Sequence, residues 1–200
     1  CDKLILTGGV VYHFLAGFGG GRKSIVPGIA GRETINTNHN NALNEGLGSG
    51  SNPRACNGNM GQDNPFHSDL VECAAFAKPA YLLNVIVNDD YQIVGAFAGN
   101  WQQAHAAAAR VVEQLDGVAI PRRTPLVIAS AGGYPKDINL YQTSKTLANA
   151  LAAVAPGGTM ILLSQCGEGF GDPDCEAQIC GYDSMEEREK ALRAGFSIGG

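Results

Sequence analysis

A glycine-rich segment at residues 10–39 constrains this chain more than any other feature. It reads VVYHFLAGFGGGRKSIVPGIAGRETINTNH and places a run of glycines, an Arg-Lys pair and two histidines within one short stretch. Glycines adopt positive φ values and let a bulky group come close to the backbone. Arg22 and Lys23 follow the glycines directly and supply two cationic donors of the kind that bind phosphate. The segment therefore predicts a loop that wraps a ligand.

Two common nucleotide-binding motifs do not fit this segment. The P-loop requires Gly immediately before its Lys, and Arg22 occupies that position here. The Rossmann motif fits poorly as well, because the glycines are contiguous and no acidic residue follows at the end of a second strand about twenty residues on. The sequence therefore disfavours both nucleotide-binding folds.

The same segment resembles the nickel-pincer lactate racemase family over its whole length. The shared order is HFxAGxGGGRKSIxPGI, which begins at His13, followed by NHN at residues 38–40. The resemblance implies that His13 is one of two acid/base histidines, that Lys23 carries a covalently attached nucleotide, and that His39 binds nickel. It also implies that the nucleotide lies against four residues of the loop: Gly19, Gly20, Gly21 and Arg22.

The cofactor that this resemblance implies is a nickel-pincer nucleotide, pyridinium-3-thioamide-5-thiocarboxylic acid mononucleotide, with its nickel ion. Taken singly, a Lys after glycines is more often a solvated loop residue, and a lone His is more often structural than a ligand. The functional interpretation therefore rests on the joint pattern, since the chemistry of the family uses all of these parts together.

A second stretch resembles the family near the middle of the chain. The family pattern YQxxK corresponds to Tyr141, Gln142 and Lys145. The resemblance implies that these residues reach across a domain cleft to bind the substrate, and that Lys145 also acts in catalysis. Gln142 and Lys145 are three apart, so they share one face of a helix. Lys136 and Asp137 are alternatives for the same role, and a solvent-exposed Lys145 is the plain structural alternative.

Composition excludes several classes of function. The 200 residues are 44% hydrophobic and 16% charged, which suffices for a globular core. The net charge of −5 predicts no binding to nucleic acid and no attraction to a membrane. No apolar run approaches the roughly 18 residues of a membrane span, and the start has no signal-peptide pattern, so we expect a cytoplasmic protein. The six cysteines are spread along the chain and are expected to be reduced.

The order of patterns predicts an α/β fold of two domains with a cleft between them. We expect residues 1–118 to be the C-terminal portion of a cofactor-binding catalytic domain and residues 119–200 to be a second α/β domain that contributes substrate contacts. A strand, a helix at about 138–155 and a strand at 159–164 predict a parallel βαβ unit in the second domain. The start inside a strand, without an initiating Met, predicts an interior piece that lacks the family's N-terminal part.

Other elements follow from turn and capping patterns. In chain order they are a strand at 4–7, a turn at Gly8 and Gly9, a strand at 10–12, a long loop at 46–64, a helix from Pro65, a hairpin of strands at 81–87 and 92–97, a helix at 101–115, a loop after Gly167, and a helix capped by Ser184. His67 in the first of these helices is a further candidate for the site. His105 is expected to be a packing or surface residue.

The resemblance implies a racemase or epimerase of a lactate-like 2-hydroxy acid. The reaction would run by reversible hydride transfer to the nucleotide on Lys23, with maturation enzymes as partners that supply the cofactor. Two alternatives stay open. One is an epimerase of another hydroxy acid or a sugar acid with the same cofactor, and the other is a non-catalytic module that binds a phosphate or nucleotide.

Overall fold

The computed structural model of this chain describes residues 2–195. It divides into two compact units, with the division after Gly117. The strands are β1 (Ile5–Gly9), β2 (Tyr12–His13), β3 (Gly17–Phe18), β4 (Tyr81–Val87), β5 (Ile93–Gly99), β6 (Thr124–Ser130) and β7 (Val154–Leu163). The helices are α1 (Arg32–Asn40), α2 (Pro65–Phe76), α3 (Trp101–Asp116), α4 (Leu140–Leu151), α5 (Pro173–Cys180) and α6 (Met185–Ala194).

The first unit is built on a three-stranded mixed sheet in the order β1-β4-β5. β1 runs parallel to β4, and β4 pairs antiparallel with β5 in the hairpin that the sequence predicts. Alternate residues of β4 are buried, which places Leu82, Asn84 and Ile86 on one face. Leu82 and Ile86 join the apolar core, so Asn84 is a polar side chain held among apolar ones.

Helices cover this sheet because their apolar residues recur at helical spacing. α3 begins at the N-cap Asn100 and buries four small residues, Ala104, Ala108, Ala109 and Val112, on the side that packs against β4 and β5. α2 begins at the N-cap Asn64, with Pro65 in its first turn, and buries Phe66, Leu70 and Ala74. Both helices occur where the sequence predicts them.

The second unit contains the predicted parallel βαβ arrangement. β6 pairs parallel with β7, and α4 connects them and packs on both strands. α4 is shorter than expected, and β7 begins at Val154 rather than near residue 159. The pairing passes from Thr124 opposite Val154 to Leu126 opposite Thr159, so the Pro-Gly-Gly segment forms an irregularity inside the strand.

Two further expectations were wrong. Gly8 and Gly9 do not form a turn, because both lie in β1 and pair with Asn84 and Val85 of β4. The segment after Gly167 is not loop throughout, because α5 forms there. Asp172 caps α5, and Pro173 and Asp174 suit its first turn.

Three other findings concern the cysteines, the segment at residues 46–64 and the length of the helices. Cys1 lies outside the described residues, and the five other cysteines form no disulfide within them, while their reduced state stays a prediction. Residues 46–64 contain no helix or strand, in agreement with the predicted loop. Within residues 2–195, none of the helices combines the length and the apolar content that crossing a membrane would need.

Candidate active site

The glycine-rich segment folds into a sequence of short elements that bring its functional residues together. β2 and β3 form a small hairpin in which His13 pairs with Gly17. A 3-10 helical turn, Gly21–Ser24, then carries Arg22 and Lys23. Gly20 and Gly21 have φ values of 70° and 56°, which side-chain-bearing residues rarely adopt. The glycines are therefore required by the sharp entry into this turn.

His13 and Lys23 meet across this hairpin. Nζ of Lys23 lies 3.1 Å from Nε2 of His13. The other ring nitrogen, Nδ1, accepts hydrogen bonds from the backbone N–H groups of Leu15 and Ala16, at 3.2 and 3.1 Å. Since Nδ1 is an acceptor, the proton of a neutral His13 ring resides on Nε2, the nitrogen beside Lys23.

His39 lies near the C-terminal end of α1 and presents one basic nitrogen. Its Nδ1–H donates to the backbone oxygen of Ile35 at 2.6 Å, which leaves Nε2 unprotonated in the neutral ring. The pKa of His39 is lowered, first by burial and also by the charge of Lys23, whereas the bond to Ile35 opposes the change. The neutral form with a lone pair on Nε2 is the form that binds metals.

Phe66 of α2 touches both histidine rings. The His39 ring meets it edge-on at 5.4 Å between centroids, and the His13 ring stacks on it at 6.3 Å. Phe66 is fully buried, so it forms a fixed apolar support between them. The structure thus brings His13, Lys23 and His39 into one neighbourhood of the first unit.

Arg22 points away from this neighbourhood and supports the loop from within. It is only 1% exposed, and its Nη atoms donate to the backbone oxygens of Phe18 and Ala16. Burial lowers the pKa of Arg22 to about 10. These contacts give Arg22 a direct role in shaping the loop, and contact with a cofactor stays a prediction.

His105 and Asn84 support the same loop from the helix and sheet beneath it. Nε2–H of His105 donates to the oxygen of Gly19 at 2.8 Å, and Nη1 of Arg22 lies within 3.5 Å of both His105 ring nitrogens. Oδ1 of Asn84 accepts from Gly21 N–H at 3.0 Å, while Nδ2 donates to the oxygen of Gly8. His105 is therefore a packing residue, as predicted, but one that holds the loop.

His67 of α2 lies beside the residues that support the loop. It lines a cavity of about 210 Å³ together with Arg22, His105 and Trp101. The pKa of His67 is lowered to about 4, mainly by burial and then by the charges of Arg22 and His105. His67 is therefore a neutral residue next to the loop support at neutral pH, and its place in the site stays a prediction.

In the second unit, α4 carries the other predicted site residues. Asn139 caps this helix by accepting from the N–H of Gln142. Nζ of Lys145 donates to Oε1 of Gln142 at 2.8 Å and lies 5.4 Å from the centroid of the Tyr141 ring. Tyr141, Gln142 and Lys145 thus form one polar cluster at the start of α4.

The two alternative residues for substrate binding are placed differently. Lys136 is exposed, whereas Asp137 is buried. Oδ2 of Asp137 accepts from the N–H of Gln165, and its backbone oxygen accepts from Cys166. Asp137 therefore holds the segment after β7, and it has a structural task that Lys136 and Lys145 do not share.

Sequence reasoning missed Asn84 and Phe66. Asn84 lies inside the apolar pattern of β4, which predicts a buried strand and gives no sign that its amide binds a glycine loop over sixty residues away. Phe66 reads as an ordinary apolar residue of α2. A polar residue at a buried strand position was the one available signal, since such a group needs a partner.

Both units of this chain are similar to known proteins. Residues 1–50 match the family described as the lactate racemase N-terminal domain, and residues 121–194 match the lactate racemase C-terminal domain. Lactate racemase of Lactiplantibacillus plantarum is 37% identical over 93% of this chain and 42% of its own length. Lactate racemase of Thermoanaerobacterium thermosaccharolyticum is 38% identical over 85% of this chain and 38% of its own length.

Two solved structures are also similar to this chain. The lactate racemase apoprotein from T. thermosaccharolyticum superposes with a TM-score of 0.83 at 34% identity, over 97% of this chain and 45% of that one. A protein from Thermotoga maritima, at 21% identity and a TM-score of 0.66 over 96% of this chain and 47% of that one, shares the fold.

The fold and the match to a solved structure define the chain as an α/β protein. The chain belongs to the lactate racemase family. It spans less than half the length of the relatives named above.

Proposed function

We propose that the protein containing this chain is a racemase or epimerase of a lactate-like 2-hydroxy acid. The observation that carries the proposal is that Lys23 lies beside His13 while the His13 and His39 rings both contact Phe66, in a chain of the lactate racemase family. An α-hydrogen beside a carboxylate is hard to remove as a proton, whereas its removal as hydride leaves a stable keto acid. The activity is that of the whole protein.

His39 is suited to be a nickel ligand. Its Nε2 lone pair is fixed by the bond from Nδ1–H to Ile35, which is the usual support of a metal-binding histidine. Within residues 2–195, no three His, Cys, Asp or Glu side chains converge as a metal site. The family resemblance implies that the cofactor, a nickel-pincer nucleotide, gives further nickel donors, and it would supply the hydride acceptor when bound.

Lys23 is suited to be the attachment point of the cofactor. Nζ of Lys23 lies 3.1 Å from Nε2 of His13, so the attachment point would lie beside the acid/base group. Gly19, Gly20 and Gly21 would give a flat ligand access to the backbone next to Lys23.

His13 would hold and move the proton of the substrate hydroxyl at Nε2. Accepting that proton at Nε2 requires the neutral ring with its own proton on Nδ1, which breaks the bonds from Leu15 and Ala16. The ring then becomes an imidazolium, which would return the proton from Nε2 when hydride returns to the keto acid. His13 would therefore alternate between neutral imidazole and imidazolium.

Lys145 and Gln142 would bind the substrate carboxylate, with Tyr141 beside them. The ammonium of Lys145 is already held by Gln142, which reduces the side-chain freedom lost when a carboxylate binds. The family resemblance assigns Lys145 a share in catalysis, which a charge beside the reacting carboxylate would supply. Maturation enzymes would be the partners that build and load the cofactor.

The test is a racemisation assay on the full-length protein produced together with the maturation enzymes. Enantiopure D- and L-lactate, and a panel of chiral 2-hydroxy acids and sugar acids, are incubated and analysed by chiral chromatography. We expect racemisation of lactate or a close analogue, and a loss of at least about 100-fold in the His13→Gln variant because acid/base groups contribute roughly that much. Turnover of a sugar acid alone would identify the epimerase alternative, and cofactor without any turnover would identify a binding module.

A further inference from the structure

Helix α1, which carries His39, has neither a buried apolar face nor an N-cap side chain that would fix its orientation. Asn38 is the one fully buried residue among its nine, and every other side chain is partly or wholly exposed. Gly31 at its N-cap provides no side-chain hydrogen bond. Apolar packing normally fixes the orientation of a helix, so α1 needs another source of orientation.

Asn38 supplies polar contacts instead. Its Nδ2 donates one hydrogen bond to the backbone oxygen of Phe66 at 3.1 Å and a second to Oδ2 of Asp69 at 2.8 Å. Both acceptors belong to the first turns of α2. The bond to the Asp69 carboxylate is charge-assisted and partly buried, which makes it stronger than a neutral hydrogen bond. Asn38 therefore ties α1 to α2 directly beside His39.

The point of attachment coincides with the support of the two histidines. Phe66 accepts the bond from Asn38 through its backbone, while its ring meets His39 edge-on and stacks on His13. One buried residue thus connects the Asn38 amide to both imidazoles. A shift of α1 against α2 would move the His39 ring relative to Phe66 and hence relative to His13.

We propose that Asn38 is a positioning residue that fixes the His39 imidazole through its bonds to Phe66 and Asp69. The proposal deepens the proposed function and rests on it where it concerns nickel. Partners that orient a metal-binding histidine commonly change metal affinity by about 10–100-fold when they are removed. Asn38 thus governs how firmly His39 holds the metal, without touching the metal itself.

The experiment compares Asn38→Ala with Asn40→Ala in the full-length protein produced with the maturation enzymes. Asn40 is exposed and lies on the other side of His39 in the same helix, so it is the matched control. Nickel per modified Lys23 is measured by elemental analysis and peptide mass during competition with a chelator. We expect Asn38→Ala to keep the modified Lys23 and to lose nickel at least about 10-fold more readily than wild type. Equal nickel retention in Asn38→Ala and Asn40→Ala would overturn the proposal.

A second pair of variants covers the case in which Asn38→Ala does not fold. Asp69→Asn keeps an oxygen that accepts from Asn38, whereas Asp69→Ala removes it. We expect Asp69→Asn to retain nickel like wild type and Asp69→Ala to lose it more readily. If the two variants retain nickel equally, Asn38 does not act through Asp69 and the proposal is wrong.

A separate measurement distinguishes failure of this proposal from failure of the proposed function. An unmodified Lys23 and no nickel in the wild type would contradict the proposed function alone. The position of the His39 ring is then tested in the unloaded protein by NMR of 13C-labelled histidine, with the His39 signal assigned from His39→Gln. We expect that signal to move in Asn38→Ala and to stay in place in Asn40→Ala. An unmoved signal in both variants would overturn the positioning role.

Discussion

The ring of His105 lies directly against the backbone of Gly21. A Cβ added to Gly21 would come within 2.6 Å of Cγ and 2.7 Å of Cδ2 of this ring. The contact joins α3 to the turn that carries Lys23, and it leaves no room for a side chain. The glycine is therefore required by its neighbour as well as by its φ value of 56°.

This contact predicts a large loss of stability in Gly21→Ala. We expect a decrease of about 2 kcal/mol or more in the free energy of unfolding, from overpacking and from the positive φ. Adding His105→Ala should restore part of the loss by opening space, which urea unfolding of the double-mutant cycle would detect. Gly31→Ala is the control, since a Cβ there meets nothing within 4 Å. A Gly21→Ala protein as stable as wild type would contradict the contact.

Asn84 gives a second prediction about the loop. Replacing it with Leu keeps the size but leaves the N–H of the buried Gly21 without this partner. A buried unsatisfied group costs about 1–3 kcal/mol, so we expect Asn84→Leu to lose about that much in urea unfolding. The same amide-to-Leu change at the exposed Gln103 should be nearly neutral. Similar losses at both positions would show that Asn84 does not hold the loop.

The stability of the protein should fall as the pH drops from about 6.5 to about 4. The pKa of His105 is lowered to about 4, mainly by burial and then by the charge of Arg22. Between these values the unfolded state binds the proton and the folded state does not, so acid favours unfolding. The full effect is about 3 to 4 kcal/mol for His105, from about 1.4 kcal/mol per pKa unit.

Urea unfolding at several pH values measures this dependence. His67, whose pKa is also lowered to about 4, acts in the same window. His105→Gln should therefore reduce the slope of stability against pH between 6.5 and 4 without removing it. An unchanged slope in His105→Gln would mean that His105 is not buried as a neutral residue.

Lys145 should determine how well the substrate carboxylate binds. Losing a charged hydrogen bond costs about 1.5–3 kcal/mol, so we expect Lys145→Met to raise KM for a hydroxy acid by about 10- to 150-fold. Nickel content and modification of Lys23 should not change, because the proposal gives Lys145 a part in binding the substrate and none in holding the cofactor. Steady-state kinetics of Lys136→Met provide the comparison. A larger rise of KM in Lys136→Met would transfer the role to that residue.

Local patterns in the sequence were sufficient for much of the fold. Asn64 with Pro65, Asn100 and Ser184 begin helices where their capping side chains predict. The hairpin of β4 and β5 and the parallel pair β6 and β7 also follow from apolar runs and turns. These elements could be predicted because the signals lie within a few residues of the structure they determine.

The wrong predictions of secondary structure have a different physical origin. Gly8 and Gly9 continue a strand because β4 pairs with them, and this pairing lies more than seventy residues away in the chain. β7 contains Pro156 and its two glycines because the strand tolerates an irregularity opposite β6. Tertiary contacts override the local preference in both cases.

The candidate site also contains residues that a local pattern predicts and residues that only the folded structure reveals. The family pattern indicated His13, Lys23 and His39, whereas the contacts that hold them come from distant buried residues. Asn84 and Phe66 have no local motif, because their role is defined only by what lies next to them in the folded chain.

Peptide mass mapping across Lys23, with nickel analysis of the same sample, tests the central claim most directly. The full-length protein is produced with the maturation enzymes, beside a Lys23→Arg variant that cannot form the attachment. We expect an added mass on the Lys23 peptide of the wild type and about one nickel per modified chain, with neither in the variant. An unmodified Lys23 without nickel, in protein made with those enzymes, would contradict it.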